Sequence, residues 1–368
     1  MSLVPTRIPL GPDDAGRRLD RILRRLLPEQ PLSRVYALLR KGDVRVNGRR
    51  RSGSYRVREG DVIEMPPSVA PEPAVTGDAA PSTVGLSPEL ARRIVYENEH
   101  LLALDKPAGA PVHGPHGLLA TLKPYLERNR GEGVSFRAGP IHRLDRNTSG
   151  LILFPKSVLG ARRGSRLLRE GRLAKGYVAV LAGRLDRPAG WEDELLRDRR
   201  RNRTLVADDS AVADNTDTRA APEGSELRRL GRAVTRVRPL WEGEKATLAL
   251  IAIETGRTHQ IRAQAGAHGT PLLGDGKYGG RRGHVDPTAI GARRHGRPRR
   301  DGYLLHAAVI RNCEPDEVLP LDHLCAPPDP RYVHSRLGAG IDRAEVARLL
   351  ACPTLLEEIA VLLGKQRP

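Results

Sequence analysis

The chain has 368 residues, enough for two or three domains. Its 62 Lys and Arg against 44 Asp and Glu leave a net charge of +18, which suits a polyanionic partner, nucleic acid first. At 3% aromatics it lacks the residues for the long stacking platforms of single-strand binders, and its three scattered cysteines, Cys313, Cys325 and Cys352, have no metal-ligand spacing and point to a reducing compartment.

The first ten residues carry no apolar h-region, and no later run approaches a membrane span. A soluble cytoplasmic protein without a membrane partner is expected. In the first segment, Leu19, Ile22, Leu23, Leu26 and Leu27 recur at helical spacing between arginines, and Pro28 ends the pattern. Ser33 is placed to cap a second helix carrying Val35, Leu38 and Leu39, with Gly42 closing it. Val44 and Val46 lead into Asn47-Gly48, a tight-turn signal, and Tyr55, Val57, Val62 and Ile63 predict short strands. Up to Pro66 there are fifteen basic and eight acidic residues, a net of +7. From Pro67 to about residue 90 the composition shifts to Pro, Ala, Ser, Thr and Gly, as in a flexible linker.

Residues 94–96 and 101–104 predict two strands around Asn98-Glu99-His100, and Leu118–Leu126 and Val158–Glu170 predict helices. Between these helices lies His142-Arg143-Leu144-Asp145-Arg146-Asn147-Thr148-Ser149-Gly150, followed by the apolar run Leu151–Phe154. This reads as a loop presenting charge at the start of a buried strand. The guanidiniums of Arg143 and Arg146 are expected to hold Asp145 ionised and to be able to grip phosphate. A carboxylate at a cationic surface repels an RNA backbone, so Asp145 needs a reason to be there; a salt-bridged loop aspartate is the bland alternative.

Lys175–Gly183 alternates like a strand. Residues 184–231 are polar and mixed in charge, and only their flanks look like strands. Ala246–Ile253 predicts a central strand leading into Glu254-Thr255-Gly256-Arg257-Thr258-His259-Gln260-Ile261-Arg262, then Gly274-Asp275-Gly276-Lys277-Tyr278-Gly279. Arg257, His259 and Arg262 would suit a helix N-terminal turn that binds any anion. Arg281–Arg300 carries seven arginines against the single aspartate Asp286, and is expected to be a loop packing on RNA phosphates.

The loop around Asp145 resembles the active-site loop of the RluA-type pseudouridine synthases. Four further stretches resemble that family in order: Asp105-Lys106-Pro107-Ala108-Gly109, Lys175-Gly176-Tyr177, the Arg257–Arg262 segment with Gly274–Gly279, and Leu304-Leu305-His306-Ala307. The segment Leu39–Gly48 resembles the RNA-binding domain first described in ribosomal protein S-four. The likeness runs from about Arg17 to Arg311. Pro155, Gln264, the arginine insertion and the segment beyond Pro327 depart from the family pattern.

The resemblance implies an α+β fold, with a mixed, mainly antiparallel sheet and flanking helices around an RNA-binding cleft. The implied domains are 1–66 for RNA binding, 67–90 as linker, 91–325 as the catalytic domain and 326–368 as an extension. It implies isomerisation of a flipped uridine, most readily in large-subunit ribosomal RNA, by breaking the N-glycosidic bond and rejoining the uracil through carbon. Transfer RNA is the alternative substrate. Asp145 is then the catalytic carboxylate, as nucleophile or as base, with Tyr177 against the base and Arg262 as the buried partner of Asp145. Arg143, His142, Arg257, His259, Gln260 and Lys175 are expected to contact RNA. No group is added or lost, so no metal or cofactor is needed, and His113, His116, His142 and His259 have no zinc spacing. A monomer is expected. A catalytically silent RNA-binding or ribosome-assembly protein would not require Asp145, and a nucleoside hydrolase would want a second carboxylate.

Overall fold

The structure, a computed structural model, describes residues 4–70, 86–128, 134, 136, 138–207, 227–279, 302–338 and 340–363. Most of the expected linker and the whole Arg281–Arg300 segment lie outside the described residues. The chain forms two compact units. The first comprises Met1–Ala103, Leu119–Ile141 and Leu153–Arg166, and the second Leu104–Leu118, His142–Ile152 and Leu167–Pro368.

The first unit begins with β1 (Thr6–Pro9), α1 (Leu19–Leu26), α2 (Leu32–Lys41), β2 (Arg45–Val46) and β3 (Val62–Met65). The strands pair antiparallel in the order β1-β3-β2. Helical spacing puts Leu19, Ile22 and Leu23 of α1 and Val35, Leu38 and Leu39 of α2 into one core with Val46, Ile63 and Met65. Arg21, Arg24, Arg34 and Arg40 stay on the exposed side. Gly42 closes α2 in the left-handed region at φ 78°, where a side chain would be strained. Asn47 and Gly48 both have positive φ, as a tight hairpin turn demands.

Two local expectations fail here. Ser33 lies inside α2, whose N-cap is Pro31 without a side-chain bond. Tyr55 and Val57 form no strand. The Tyr55 carbonyl accepts from Leu19 N–H at 2.8 Å, and Val57 N–H donates to Arg17 O at 3.0 Å, so this stretch zips onto the start of α1. The unit continues through α3 (Pro88–Ala91), β4 (Ile94–Glu97), β5 (Leu101–Lys106), α4 (Leu118–Arg128), β6 (Ser149–Pro155) and α5 (Val158–Arg169). β5 and β6 run on into the second unit. The carboxylate of Asp13 accepts the Val158 N–H at the start of α5, at 3.0 Å.

The second unit is built on β7 (Leu173–Ala182), β8 (Ala189–Asp198), β9 (Arg203–Val206), β10 (Leu227–Glu242), β11 (Ala246–Ile253), α6 (Gln260–Ala267), β12 (Leu305–Asn312) and β13 (His323–Cys325). Its strands run β12-β7-β11-β10-β8-β9, all antiparallel, with β13 on β12 and the start of β6 joining β12 in parallel. This is the mixed, mainly antiparallel α+β architecture. The polar stretch after residue 184 contains two strands that alternation does not reveal. Between β8 and β10 the pairing is by charge across the ladder, Glu194 with Arg229 at 2.9 Å and Glu192 with Arg232 at 2.5 Å.

Successive side chains of β7 point to opposite faces. Val178 and Val180 enter a core with Leu248, Leu250, Val333, Val346, Leu355 and Ile359. The last four belong to the C-terminal extension, which folds as α7 (Pro330–Leu337), α8 (Arg343–Leu349) and α9 (Cys352–Leu362) with the loop between them. Lys175 and Tyr177 take the other face of β7.

Gly150, the second residue of β6, lies against Ala307 of β12. Its φ is +104°, and a Cβ there would lie 2.3 Å from the Ala307 carbonyl oxygen. Neither backbone is free to move, since Ala307 also pairs with Tyr177. Gly150→Ala is expected to destabilise the protein by more than about 2 kcal/mol. A denaturation midpoint equal to wild type would show that the loop has other ways to enter the sheet.

Candidate active site

The loop carrying Asp145 is pinned from beneath by a single lysine. The fully buried Lys106 at the end of β5 donates to three carbonyls: Pro107 at 3.0 Å, Ala110 at 2.9 Å and Arg146 at 3.1 Å. Burial pulls its pKa down to about 8, against the opposing attraction of Asp145 and Asp105. Gly109 N–H donates to Arg146 O at 2.8 Å, and Arg146 Nε returns a bond to Gly109 O at 3.0 Å. Thr148 N–H closes the turn on Asp145 O at 3.1 Å. At the loop's end, Ser149 Oγ bonds His306 Nδ1 at 2.9 Å while His306 Nε2–H donates to Ala326 O at 2.7 Å.

The side chain of Asp145 lies among cations. Arg262 Nη1 and His259 Nε2 each stand 3.8 Å from Asp145 Oδ2. Burial raises the pKa of the Asp145 carboxyl, and the charges of Arg262, Arg143 and Arg197 pull it back. The expectation of two flanking arginines therefore needs correction. Arg146 turns away to Gly109, and its place is taken by Arg262 and Arg197, distant in sequence. Desolvation outweighs the cations, so the carboxyl titrates above the usual carboxylate range.

Arg262 is itself fixed. It sits in the first turn of α6, and its fork closes on Asp275, Nε to Oδ2 at 2.7 Å and Nη2 to Oδ1 at 2.9 Å. The rings of Tyr303 and Tyr278 cover the guanidinium at 4.5 and 4.9 Å. With both fork bonds made to Asp275, Nη1 remains directed toward Asp145.

Tyr177 is buried on β7, and its hydroxyl pKa is pushed up, first by burial and then by the negative charge of Asp145, so the phenol keeps its proton. Lys175, two residues earlier on the same face, is pulled down to about 8 by burial, and among the described residues it has no carboxylate at ion-pair distance. His142 is neutral, held at about 3 by burial and by Lys175. His259 is neutral too, at about 3, by burial and by Arg262 and Arg197. Arg257 leans on Arg232 O at 3.2 Å and stays exposed.

Gln260 has a duty other than the RNA contact expected of it. It is buried, and its oxygen accepts from Thr255 Oγ1 and Arg257 N while its nitrogen donates to Val234 O and Thr235 Oγ1. Its hydrogen-bonding groups are used in holding the loop onto β10.

Asp145, Arg143, His259 and Arg262 line two cavities, of about 750 and 900 Å³. The first also holds Tyr177, Lys175 and His142. The second holds Arg197, Asp275 and Tyr303. Arg197, Asp275, Tyr278, Tyr303 and Lys106 were not expected as site residues. Asp275 and Tyr278 lie in the Gly274–Gly279 stretch and Lys106 in Asp105–Gly109, so their segments carried a signal; Arg197 carried none.

A model of the RNA pseudouridylate synthase family matches residues 100–267, and an S4 domain model matches 17–63. The chain is 35% identical over 309 residues to "Ribosomal large subunit pseudouridine synthase C" of Vibrio cholerae serotype O1, covering 84% of this chain and 89% of that protein. The chain belongs to the RNA pseudouridylate synthase family. The Escherichia coli K12 protein of the same name is 32% identical, over 82% of this synthase and 87% of its own length. Human RNA Pseudouridylate Synthase Domain Containing 4 overlays with a TM-score of 0.47 at 20% identity, over 67% of this chain and 92% of that one. The synthase model spans Asp145, Tyr177 and Arg262 and stops before Asp275 and Tyr303. Among the described residues of the synthase, no helix is long and apolar enough to cross a membrane.

The Arg262–Asp275 fork is nearly dry, with the side chains 11% and 2% exposed. Removing one partner leaves the other charge buried. Asp275→Ala is expected to cost about 3–5 kcal/mol of stability. Equal denaturant midpoints for variant and wild type would mean that the tyrosine rings alone hold Arg262.

Proposed function

We propose that this pseudouridine synthase acts on specific uridines of large-subunit ribosomal RNA, with Asp145 as the carboxylate that acts at the ribose of a flipped nucleotide. The relatives named above support the substrate. The observation that carries the site is a half-buried carboxylate ringed by arginines and facing two adjoining cavities. Flipping costs a few kcal/mol per unstacked base, which contacts around the extruded nucleotide must offset. The N1–C1′ bond breaks, the uracil turns within the cavity, and a C5–C1′ bond forms. The C5 proton leaves and N1 ends protonated, so atoms balance with no cofactor.

Asp145 attacks C1′ as nucleophile or takes the 2′ proton as base; both need it ionised. Arg262, locked on Asp275, keeps the carboxylate oriented. Tyr177 lies against the base. Arg143 fills the gap left in the RNA or binds its phosphate, and Lys175, His142, Arg257 and His259 line the path of the nucleotide. The divisions 1–66, 67–90, 91–325 and 326–368 are kept as functional ones, the first gripping RNA and the third performing the chemistry. Cysteines kept as thiols fit a cytoplasmic protein, and a monomer is the working state.

Asp145→Asn is expected to abolish turnover while RNA binding persists. In the wild type, activity falls as pH drops through the carboxyl's raised pKa, so the acid limb lies above the usual carboxylate range. Arg197→Met removes a charge that lowers this pKa and moves the limb to higher pH. Turnover of the Asn variant within about tenfold of wild type overturns the assignment. Mapping pseudouridines in ribosomal RNA with and without the protein tests the substrate; unchanged ribosomal sites alongside a missing transfer-RNA site would refute it.

Replacing Arg21, Arg24, Arg34 and Arg40 by serine tests the grip. For each phosphate that the variant no longer neutralises, the slope of log K against log salt becomes shallower by about 0.9 on duplex and about 0.7 on single strands. An unchanged slope places these arginines off the RNA.

A further inference from the structure

His259 is an unusual N-cap. Its φ is 55°, in the left-handed region that non-glycine residues seldom occupy, yet its side chain makes no capping bond to α6. The strained backbone instead sends the ring between two groups. Nδ1 lies 2.8 Å from the Tyr278 hydroxyl, and Nε2 lies 3.8 Å from Asp145 Oδ2. The Tyr278 hydroxyl also receives the Thr204 backbone N–H at 2.9 Å.

We infer that Tyr278 is a positioning residue for the reaction: its hydroxyl holds His259 as the Nε2–H tautomer, so that a ring N–H faces Asp145. Two independent arguments give the same tautomer. From the Tyr278 side, Thr204 N–H is an obligatory donor and occupies an oxygen lone pair, so the phenolic proton is free to go to Nδ1. From the Asp145 side, a bare lone pair on Nε2 would face a carboxylate oxygen, which repels it; an N–H is attracted. The ring is neutral, because it is largely withdrawn from water and Arg262, Arg197, Lys277 and Arg143 all press against a further positive charge. It therefore has one N–H, and both neighbours require it on Nε2.

The consequence concerns which oxygen reacts. Arg262 Nη1 and His259 Nε2 both address Oδ2. With Oδ2 steered from two sides, Oδ1 is the oxygen left to meet the ribose. The two donors differ in kind. The Arg262 charge lowers the carboxyl pKa, whereas the neutral His259 orients the carboxylate with little effect on it. The order Thr204 N–H, Tyr278 O–H, His259 N–H, Asp145 runs one way, with each proton pointing toward the carboxylate.

Tyr278→Phe tests this, because it keeps the ring that stacks on Arg262 and removes only the hydroxyl. In nitrogen-15 spectra of the full-length wild type, the His259 ring, assigned by its loss in His259→Gln, is expected to show a protonated Nε2 and a bare Nδ1 between about pH 6 and 8. In Tyr278→Phe it should become a mixture of tautomers. The variant's kcat on substrate RNA should fall about tenfold, the effect of one hydrogen bond, with KM within about twofold. Adding Tyr278→Phe to His259→Gln should cause no further loss, since the hydroxyl acts through the ring.

A bare Nε2 in the wild type, unchanged spectra in the variant, or fully additive losses would overturn the inference. So would a loss confined to KM. The kinetic arm rests on Asp145 being the acting carboxylate, and the spectra do not. If Asp145→Asn keeps turnover, the proposed chemistry fails while the tautomer lock is still decided by the nitrogen shifts.

Discussion

A carboxylate removed from water must be matched by charge close at hand, and much of the second unit's site meets that demand for Asp145. Burial alone favours the protonated acid. Arg262, Arg143 and Arg197 oppose it, but a guanidinium on a long side chain is useful only where its direction is set. Asp275 sets it for Arg262 with two bonds, and two tyrosine rings remove the remaining freedom. The acid that fixes the arginine also carries a cost, since the Asp275 charge raises the pKa of Asp145. The site is thus a chain of alternating charge, Asp145, Arg262 and Asp275, in which each charge lies beside one of opposite sign.

The strand behind this chain serves two structures at once. On one face of β7, Lys175 and Tyr177 line a cavity; on the other, the C-terminal helices cover Val178 and Val180. Gly176 marks where the two demands meet. A Cβ there would lie 2.8 Å from Ile359 Cδ1, so α9 approaches the strand directly behind the site. The extension also reaches other parts of the site. Arg336 of α7 bonds Gly302 O, next to Tyr303, and stands 3.4 Å from where a Cβ of Gly274 would be, next to Asp275. The segment beyond Pro327 is thus part of the wall that holds β7 and the Arg262 clamp.

What the sequence discloses follows from how local each interaction is. The Asp145 loop, β11 and the α2–Gly42–Asn47-Gly48 unit are visible because their causes lie within a few residues: a periodicity, a left-handed glycine, a turn pair. β8 is hidden from alternation because its glutamates, polar in sequence, face Arg229 and Arg232 on a strand thirty or more residues away. The flanking-arginine reading of Asp145 holds for Arg143 and fails for Arg146 for a similar reason. Adjacent side chains in a turn point apart, so Arg146 reaches Gly109, while the other cations near the carboxylate come from β8 and α6. Gln260 shows the converse, a polar residue inside a recognisable motif whose whole capacity is spent holding the backbone.

The division between paired and unpaired cations orders the rest of the surface. Arg229, Arg232 and Arg236 on β10 are matched by Glu194, Glu192 and Glu254, so their charge is largely spent within the fold. Lys175 has no such partner among the described residues, and it sits in the cavity beside Tyr177. A buried lysine without a counter-charge is costly, and that cost falls when an anion or a strong acceptor enters. The fold thus keeps an uncompensated lysine in the cavity beside Tyr177, and neutralises cations where the sheet needs only to hold together. A net charge of +18 does not describe that arrangement; the position of the acids does.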